Sequence, residues 1–158
     1  MHSFSTTRRV PYSARQMFDL VADVEQYPKF LPLCEALVVR KREGTPEKPV
    51  MICDMTVGYK AIRETFTSRV VLDPAALLVL AGSVPDYPSG PFRKVDNRWS
   101  FAAAPGGCDV NFFIAYEFKS LMLQMLVGGL FDRVFRRYTE AFEGRARAVY
   151  GRPAPPQA

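Results

Sequence analysis

The sequence predicts an α+β fold in which a curved antiparallel sheet grips a long C-terminal helix and leaves an apolar gap where the two separate. Three observations lead there. From Leu121 to Tyr150 the apolar residues Leu123, Val127, Leu130, Phe131, Val134, Phe135, Tyr138 and Phe142 recur at three- and four-residue steps, while Asp132, Arg133, Arg136, Arg137, Glu140 and Glu143 take the other side. Between Ala36 and Lys119 the pattern changes to short alternating runs separated by Gly, Pro and Asp, which reads as strands joined by tight turns rather than strands alternating with helices. An unbroken terminal helix would be roughly 45 Å long and would need a broad apolar surface, which the sheet supplies.

Taken in order, Phe4 to Val10 reads as a first strand stopped by Pro11. Ser13 then caps a helix that ends near Val24, with Gln16 completing a capping box and Met17, Phe18, Leu20 and Val21 forming the apolar face. Pro28 and Pro32 permit only a short helical turn beginning near Pro28. Tyr27, Phe30, Leu31 and Leu33 crowd that connection with apolar bulk, either as a plug closing the core or as a ligand gate.

Strands are expected over Ala36–Arg42, Val50–Val57, Ala61–Leu72, Leu77–Ser83, Phe92–Ala102 and Cys108–Lys119, with a hairpin at Gly58-Tyr59-Lys60. In Ala61–Leu72, Glu64 and Ser68 share the parity of Ile62, Phe66, Val70 and Leu72; they are polar contacts inside a cavity or, the preferred reading, residues turned outward by a bulge. Three prolines and a glycine make Val84–Pro91 a stiff loop of lid-like character. Ser120 is the expected N-cap of the long helix. Residues 1–150 therefore form one domain, followed by a mobile proline-rich tail over 151–158.

A net charge of +5 points to an anionic surface, lipid or nucleic acid, and Arg133, Arg136, Arg137, Arg145, Arg147 and Arg152 make the terminal helix and tail the most basic region. Three separated cysteines, Cys34, Cys53 and Cys108, disfavour a disulfide framework and suit a reducing compartment. The N-terminus has no secretory apolar run, and Leu121–Phe131 is too short to span a bilayer, so a cytoplasmic protein is expected. His2 is the only histidine and lies at an end expected to fray, which removes Ser-His-Asp and Cys-His catalysis and leaves too few ligands for zinc. Gly106-Gly107 falls in a turn and Gly128-Gly129 in a helix, so neither cradles a phosphate. Asp54 and Glu117 sit on the side away from the apolar faces. No enzyme, no metal, no cofactor and no DNA partner are expected.

What remains is apolar bulk beyond the needs of one layer: Met51, Met55, Phe66, Trp99, Phe112, Tyr116, Leu126 and Phe131 form either plain core or an adaptable pocket. Two adjacent glycines in a helix interior each cost about 1 kcal/mol relative to alanine, so Gly128 and Gly129 imply close packing on a strand or room for a ligand, with Gly129 as the expected point of contact.

Several segments carry a family resemblance: Tyr27-Pro-Lys-Phe-Leu-Pro-Leu-Cys34, Arg63-Glu-Thr-Phe-Thr-Ser-Arg69, Gly90-Pro-Phe-Arg93 with Asn97-Arg-Trp99, and Phe112-Phe-Ile-Ala-Tyr-Glu-Phe118 running into Leu130-Phe-Asp-Arg-Val-Phe135. Over roughly residues 3 to 148 the chain resembles the coenzyme Q-binding protein family of the START-like, polyketide-cyclase-type helix-grip superfamily. The resemblance implies a hydrophobic tunnel between sheet and helix, with Lys29, Phe30, Leu31, Pro32 and Trp99 at its wall or mouth. It implies ubiquinone as a bound ligand, delivered or chaperoned in support of respiration; the basic charge adds the expectation of transient contact with the inner face of the bacterial plasma membrane. The family's bacterial branch also carries the name of a ribosome-association toxin, so a regulator bound to the large ribosomal subunit is the alternative. In the quinone reading Met55, Phe66, Leu126 and Phe131 line the tunnel and the basic helix end meets anionic membrane.

Overall fold

The computed structural model describes residues 1–152. Seven strands form one antiparallel sheet: β1 (His2–Val10), β2 (Cys34–Gly44), β3 (Pro49–Tyr59), β4 (Ile62–Asp73), β5 (Leu78–Ser83), β6 (Phe92–Ala104) and β7 (Gly107–Phe118). Their order across the sheet, β1-β7-β6-β5-β4-β3-β2, makes β2 to β7 a continuous meander and sets β1 on the far edge against β7. Three helices, α1 (Ala14–Ala22), α2 (Leu121–Arg136) and α3 (Tyr138–Tyr150), and a 3₁₀ turn over Val24–Lys29 accompany the sheet. The period of two does the sorting: Val110, Phe112, Ile114, Tyr116 and Phe118 of β7 are all buried in the core.

Local chemistry explains most boundaries. The Ser13 Oγ accepts from the Gln16 N–H at 3.0 Å, and the Gln16 side chain accepts from the Ser13 N–H at 2.9 Å, completing the expected capping box. Ser120 Oγ accepts from the Leu123 N–H at 3.1 Å and starts α2 where the sequence places it. The loop after β5 takes the place of a strand: the Thr67 N–H donates to the Pro88 carbonyl at 2.7 Å, and Ser89 bridges Phe66.

Four expectations need correction. The long terminal helix is two helices, α2 and α3, separated at Arg137 (φ −102°, ψ 0°). The break leaves no trace in the periodicity because Phe131, Phe135, Tyr138 and Phe142 all face the sheet on both sides of it, and a straight rod of that length would not follow a twisted sheet. The short helical turn starts at Val24 rather than Pro28, which sits inside it; the Tyr27 hydroxyl donates to the Val21 carbonyl and fastens the turn to α1. No bulge turns Glu64 outward, since the β3–β4 register is unbroken from Val50↔Val71 to Tyr59↔Ile62. His2 is not frayed: β1 begins there, with the ring stacked on Tyr116 at 5.4 Å. Of the expected tail, only Gly151 and Arg152 fall within the described residues, and Gly151 accepts from the Tyr12 hydroxyl at 2.8 Å.

Candidate ligand-binding site

Between the sheet and the helices lies a cavity of about 80 Å³. The sheet contributes Leu37, Cys53, Met55, Phe66, Ser68, Val70, Val79, Ala81, Val95, Asn97, Trp99 and Ile114; the 3₁₀ turn and the residues after it give Val24, Tyr27 and Leu31; α2 and α3 give Phe135, Tyr138 and Phe142; Phe92 completes the wall. The lining contains no carboxylate, lysine, arginine or histidine. Its polar groups are few and uncharged. Asn97 is already committed, accepting from the Trp99 indole N–H at 3.0 Å and donating to the Phe113 carbonyl at 2.9 Å.

Tyr138 is different. The hydroxyls of Tyr12, Tyr27 and Tyr150 each donate to a backbone carbonyl, whereas that of the half-buried Tyr138 has no such partner among the described residues. Burial pushes its pKa well above the ordinary phenol value, so it stays protonated and keeps a proton to donate. Ser68, opposite Cys53 on β3, adds a second hydroxyl to the lining. Burial also raises the Cys53 thiol to about 11, which keeps it neutral and unreactive.

A second space, about 190 Å³, lies toward the start of α2. Leu33, Val57, Gly58, Tyr59, Ile62, Glu64 and Pro91 face Leu123, Leu126, Val127, Leu130 and Phe131 across this groove. Leu33 holds a left-handed backbone (φ 65°), an uncommon conformation for leucine that turns its side chain to the groove wall. Phe131 of the groove and Phe92 of the cavity sit 4.9 Å apart, ring centre to ring centre, so this aromatic pair is the partition between the two spaces. A larger hollow, about 970 Å³, is an open saddle on the outer face of the sheet; its Arg98 is held by Asp96 at 2.8 Å and lies over Phe113.

The sequence-predicted residues divide accordingly. Leu31, Met55, Phe66 and Trp99 line the cavity, and Leu126 and Phe131 line the groove. Phe112 and Tyr116 are core: Phe112 packs on Trp99 at 4.7 Å and Tyr116 on Phe135 at 5.0 Å. Phe30 packs on Phe142 at 5.0 Å outside the cavity, Pro32 is half-buried beside it in sequence, and Lys29 is exposed. Gly129 is corrected: it is exposed, and a Cβ there would meet only the Arg133 guanidinium at 3.6 Å. The inward glycine is Gly128, where a Cβ would meet the Phe118 ring at 3.7 Å, an ordinary contact distance, so Gly128 alone faces the strand. Reasoning from sequence missed Asn97, Tyr138 and Phe92. Asn97 shares the parity of Val95 and Trp99, and a polar residue on an apolar face was the available signal.

The family described as polyketide cyclase / dehydrase and lipid transport matches residues 10–143. A ribosome association toxin, RatA, of Rickettsia prowazekii is 32% identical over 152 residues, spanning 94% of this chain and 99% of its own. A mitochondrial coenzyme Q-binding protein, COQ10 homolog B of Xenopus laevis, is 28% identical over 162 residues, 98% of this chain and 62% of its own. The solution structure of the 18 kDa protein CC1736 of Caulobacter crescentus superposes with a TM-score of 0.77 at 30% identity, covering 96% of this chain and 100% of that one. The Zhui aromatase/cyclase from Streptomyces sp. R1128 shares the fold, at a TM-score of 0.78, 17% identity, and coverage of 94% and 95%.

Proposed function

Because the chain belongs to the polyketide cyclase/dehydrase and lipid transport family, we propose that it is a non-enzymatic carrier of ubiquinone, a hydrophobic isoprenoid quinone, and serves respiratory electron transport. The observation that carries this reading is an uncharged apolar cavity with two hydroxyls in its lining, Tyr138 and Ser68, and a second apolar groove on the far side of the Phe92–Phe131 pair. A quinone carbonyl accepts but does not donate, so it matches a protonated phenol and needs no charge. The cavity lining offers no general acid or base of ordinary pKa, which favours binding over turnover.

At about 80 Å³ the cavity is well below the ~300–1,000 Å³ of ordinary ligand pockets. Loading therefore requires rotation of Phe131 away from Phe92, merging cavity and groove, with the ring of the quinone inward and its isoprenoid chain along α2. Met55, Leu31 and Phe66 adapt to the headgroup, and Leu126 and Phe131 accompany the chain. The test is organic extraction of the purified protein followed by mass spectrometry. Ubiquinone is expected from protein made in a ubiquinone-rich host, and several-fold less from Ala81→Leu, which fills the cavity wall. Quinone-free protein from such a host would overturn the reading.

A second reading is favoured by a specific observation: relatives named for ribosome association are more identical to this chain than the relative named for coenzyme Q. Arg145 and Arg147 of α3 would then meet rRNA phosphates. Co-sedimentation with large ribosomal subunits that persists in moderate salt is the outcome that would prefer it.

A further inference from the structure

The first three turns of α2 are apolar on every side. Val127 and Phe131 face the core, as expected, yet Leu121, Met122, Met125 and Leu126 on the opposite side are 70%, 70%, 78% and 72% exposed. Only Gln124 interrupts them before Asp132. A helix apolar all round is ordinarily buried, and among the described residues nothing covers the outer face of this one. The apolar surface continues past the groove onto the β3–β4 hairpin, where Tyr59 and Ile62 are 42% and 51% exposed.

The rim is basic. Arg63 is paired with Glu35 at 3.0 Å and Arg93 lies 4.0 Å from Glu117, but Lys60 at the hairpin tip, Lys119 just before α2 and Arg133 at the far end of the stripe make no ion pair among the described residues. Against these three stands Glu64 in the groove wall. The stripe Met122, Met125, Leu126, Gly129 and Arg133 follows helical spacing, so apolar side chains and a terminal cation lie along one line on the helix surface.

We propose that this face, the outer side of α2 with the tip of the β3–β4 hairpin, docks on an anionic lipid bilayer. The apolar side chains enter the acyl boundary while Lys60, Lys119 and Arg133 stay at the headgroups, the division that an interfacial amphipathic helix adopts. This moves the membrane contact from the basic α3, where the sequence suggested it, to the opposite side of the helical segment. A second copy of the chain fits poorly, because stable protein interfaces engage roughly 20–30 residues a side and two copies would bring positive rims together. The inference deepens the carrier reading and rests on it for its purpose, since docking here presses the groove mouth onto the lipid from which a quinone would enter.

The experiment is co-sedimentation of the full chain with phosphatidylcholine vesicles with and without phosphatidylglycerol, beside the double variant Met122→Glu/Met125→Glu and the control Arg147→Glu. Neither methionine lines the groove. The wild-type protein is expected to bind phosphatidylglycerol vesicles more strongly than phosphatidylcholine alone; the double variant, with unchanged far-UV circular dichroism, should lose at least about tenfold in binding, and the control less than about twofold. Equal binding by the double variant overturns the proposal, as does equal loss in the control. Sedimentation velocity adds one more arm: a wild-type dimer that the double variant converts to monomer names a second copy as the occupant and overturns it too. Quinone content measured on the same samples keeps the two readings apart. Vesicle binding without quinone refutes the carrier and leaves the docking face standing; quinone without vesicle binding does the reverse.

Discussion

At one end of the sheet Phe142 is enclosed by Trp99 at 4.9 Å, Phe30 at 5.0 Å and Tyr27 at 5.3 Å, and no part of its ring reaches solvent to more than 1%. At the other end Leu121, Met122, Met125 and Leu126 of α2 stand in water. The enclosed ring belongs to α3, which also carries Glu140, Glu143, Arg145 and Arg147, whereas the exposed side chains belong to the start of α2, which has no charged residue before Asp132. The difference lies in what covers them: α1 and the 3₁₀ turn close over α3, whereas the start of α2 has the sheet on one side and none of the described residues on the other. Stability is therefore concentrated at the aromatic end and adaptability at the methionine end, which is the distribution a container with a lid requires.

The comparison is broken most directly by truncating the closed end. Phe142→Ala should cost about 3–5 kcal/mol in urea-induced unfolding, because a fully enclosed ring leaves a cavity that its aromatic neighbours cannot collapse into. A loss near 1 kcal/mol would mean that this end is looser than its packing implies.

Alkaline pH acts next on the same side of the molecule. Burial raises Cys34 and Cys53 from 9 to about 11 in the folded protein. The native state then binds more protons than the unfolded chain between those values, so the slope of stability against pH is negative there. The contribution is intact below about pH 9 and is lost as pH rises through about 11. Urea midpoints should fall across that window, and Cys53→Ala should flatten the fall.

Between the two ends, Tyr138→Phe removes one hydroxyl of the cavity lining and nothing else. Quinone retained through purification should drop several-fold, corresponding to about 1 kcal/mol for one hydrogen bond, while the urea midpoint stays put. Unchanged retention would leave Tyr138 as a core residue and shift the polar contact to Ser68. At the start of α2, Ser120→Ala should cost about 1 kcal/mol by freeing the Leu123 N–H, and should raise amide exchange in the first turn before any other.

Much of this was legible beforehand because it depends on period and caps. The alternation of β7, the capping box at Ser13 and the cap at Ser120 each declare themselves within a few residues. The residues that line the cavity were only half legible, since periodicity says which way a side chain points but not how far the opposite wall stands from it. Tyr116 and Met55 have the same inward parity; Tyr116 meets Phe135 and fills the space, while Met55 meets the cavity. The same limit hid the break at Arg137, because a helix that bends to follow a twisted sheet keeps its apolar face. Resemblance placed Lys29 and Pro32 at the site, whereas in the structure they lie outside both spaces. It could not distinguish Gly128 from Gly129, a choice set by a rotation of one residue about the helix axis.

The smallest expected effect is the most informative about the open end. Met125→Ser exchanges a 78% exposed thioether for a hydroxyl at a position with no buried neighbours to lose. If the outer face of α2 is free in solution, stability should change by no more than about 0.5 kcal/mol, as for any exposed site, apart from serine's slightly poorer helix propensity. A cost of about 2 kcal/mol would show that Met125 is buried in solution, against a second copy or a lipid carried through purification. The two are told apart by repeating the measurement after delipidation and at several protein concentrations. A cost that vanishes with delipidation assigns the cover to lipid, and one that scales with concentration assigns it to another copy of the chain.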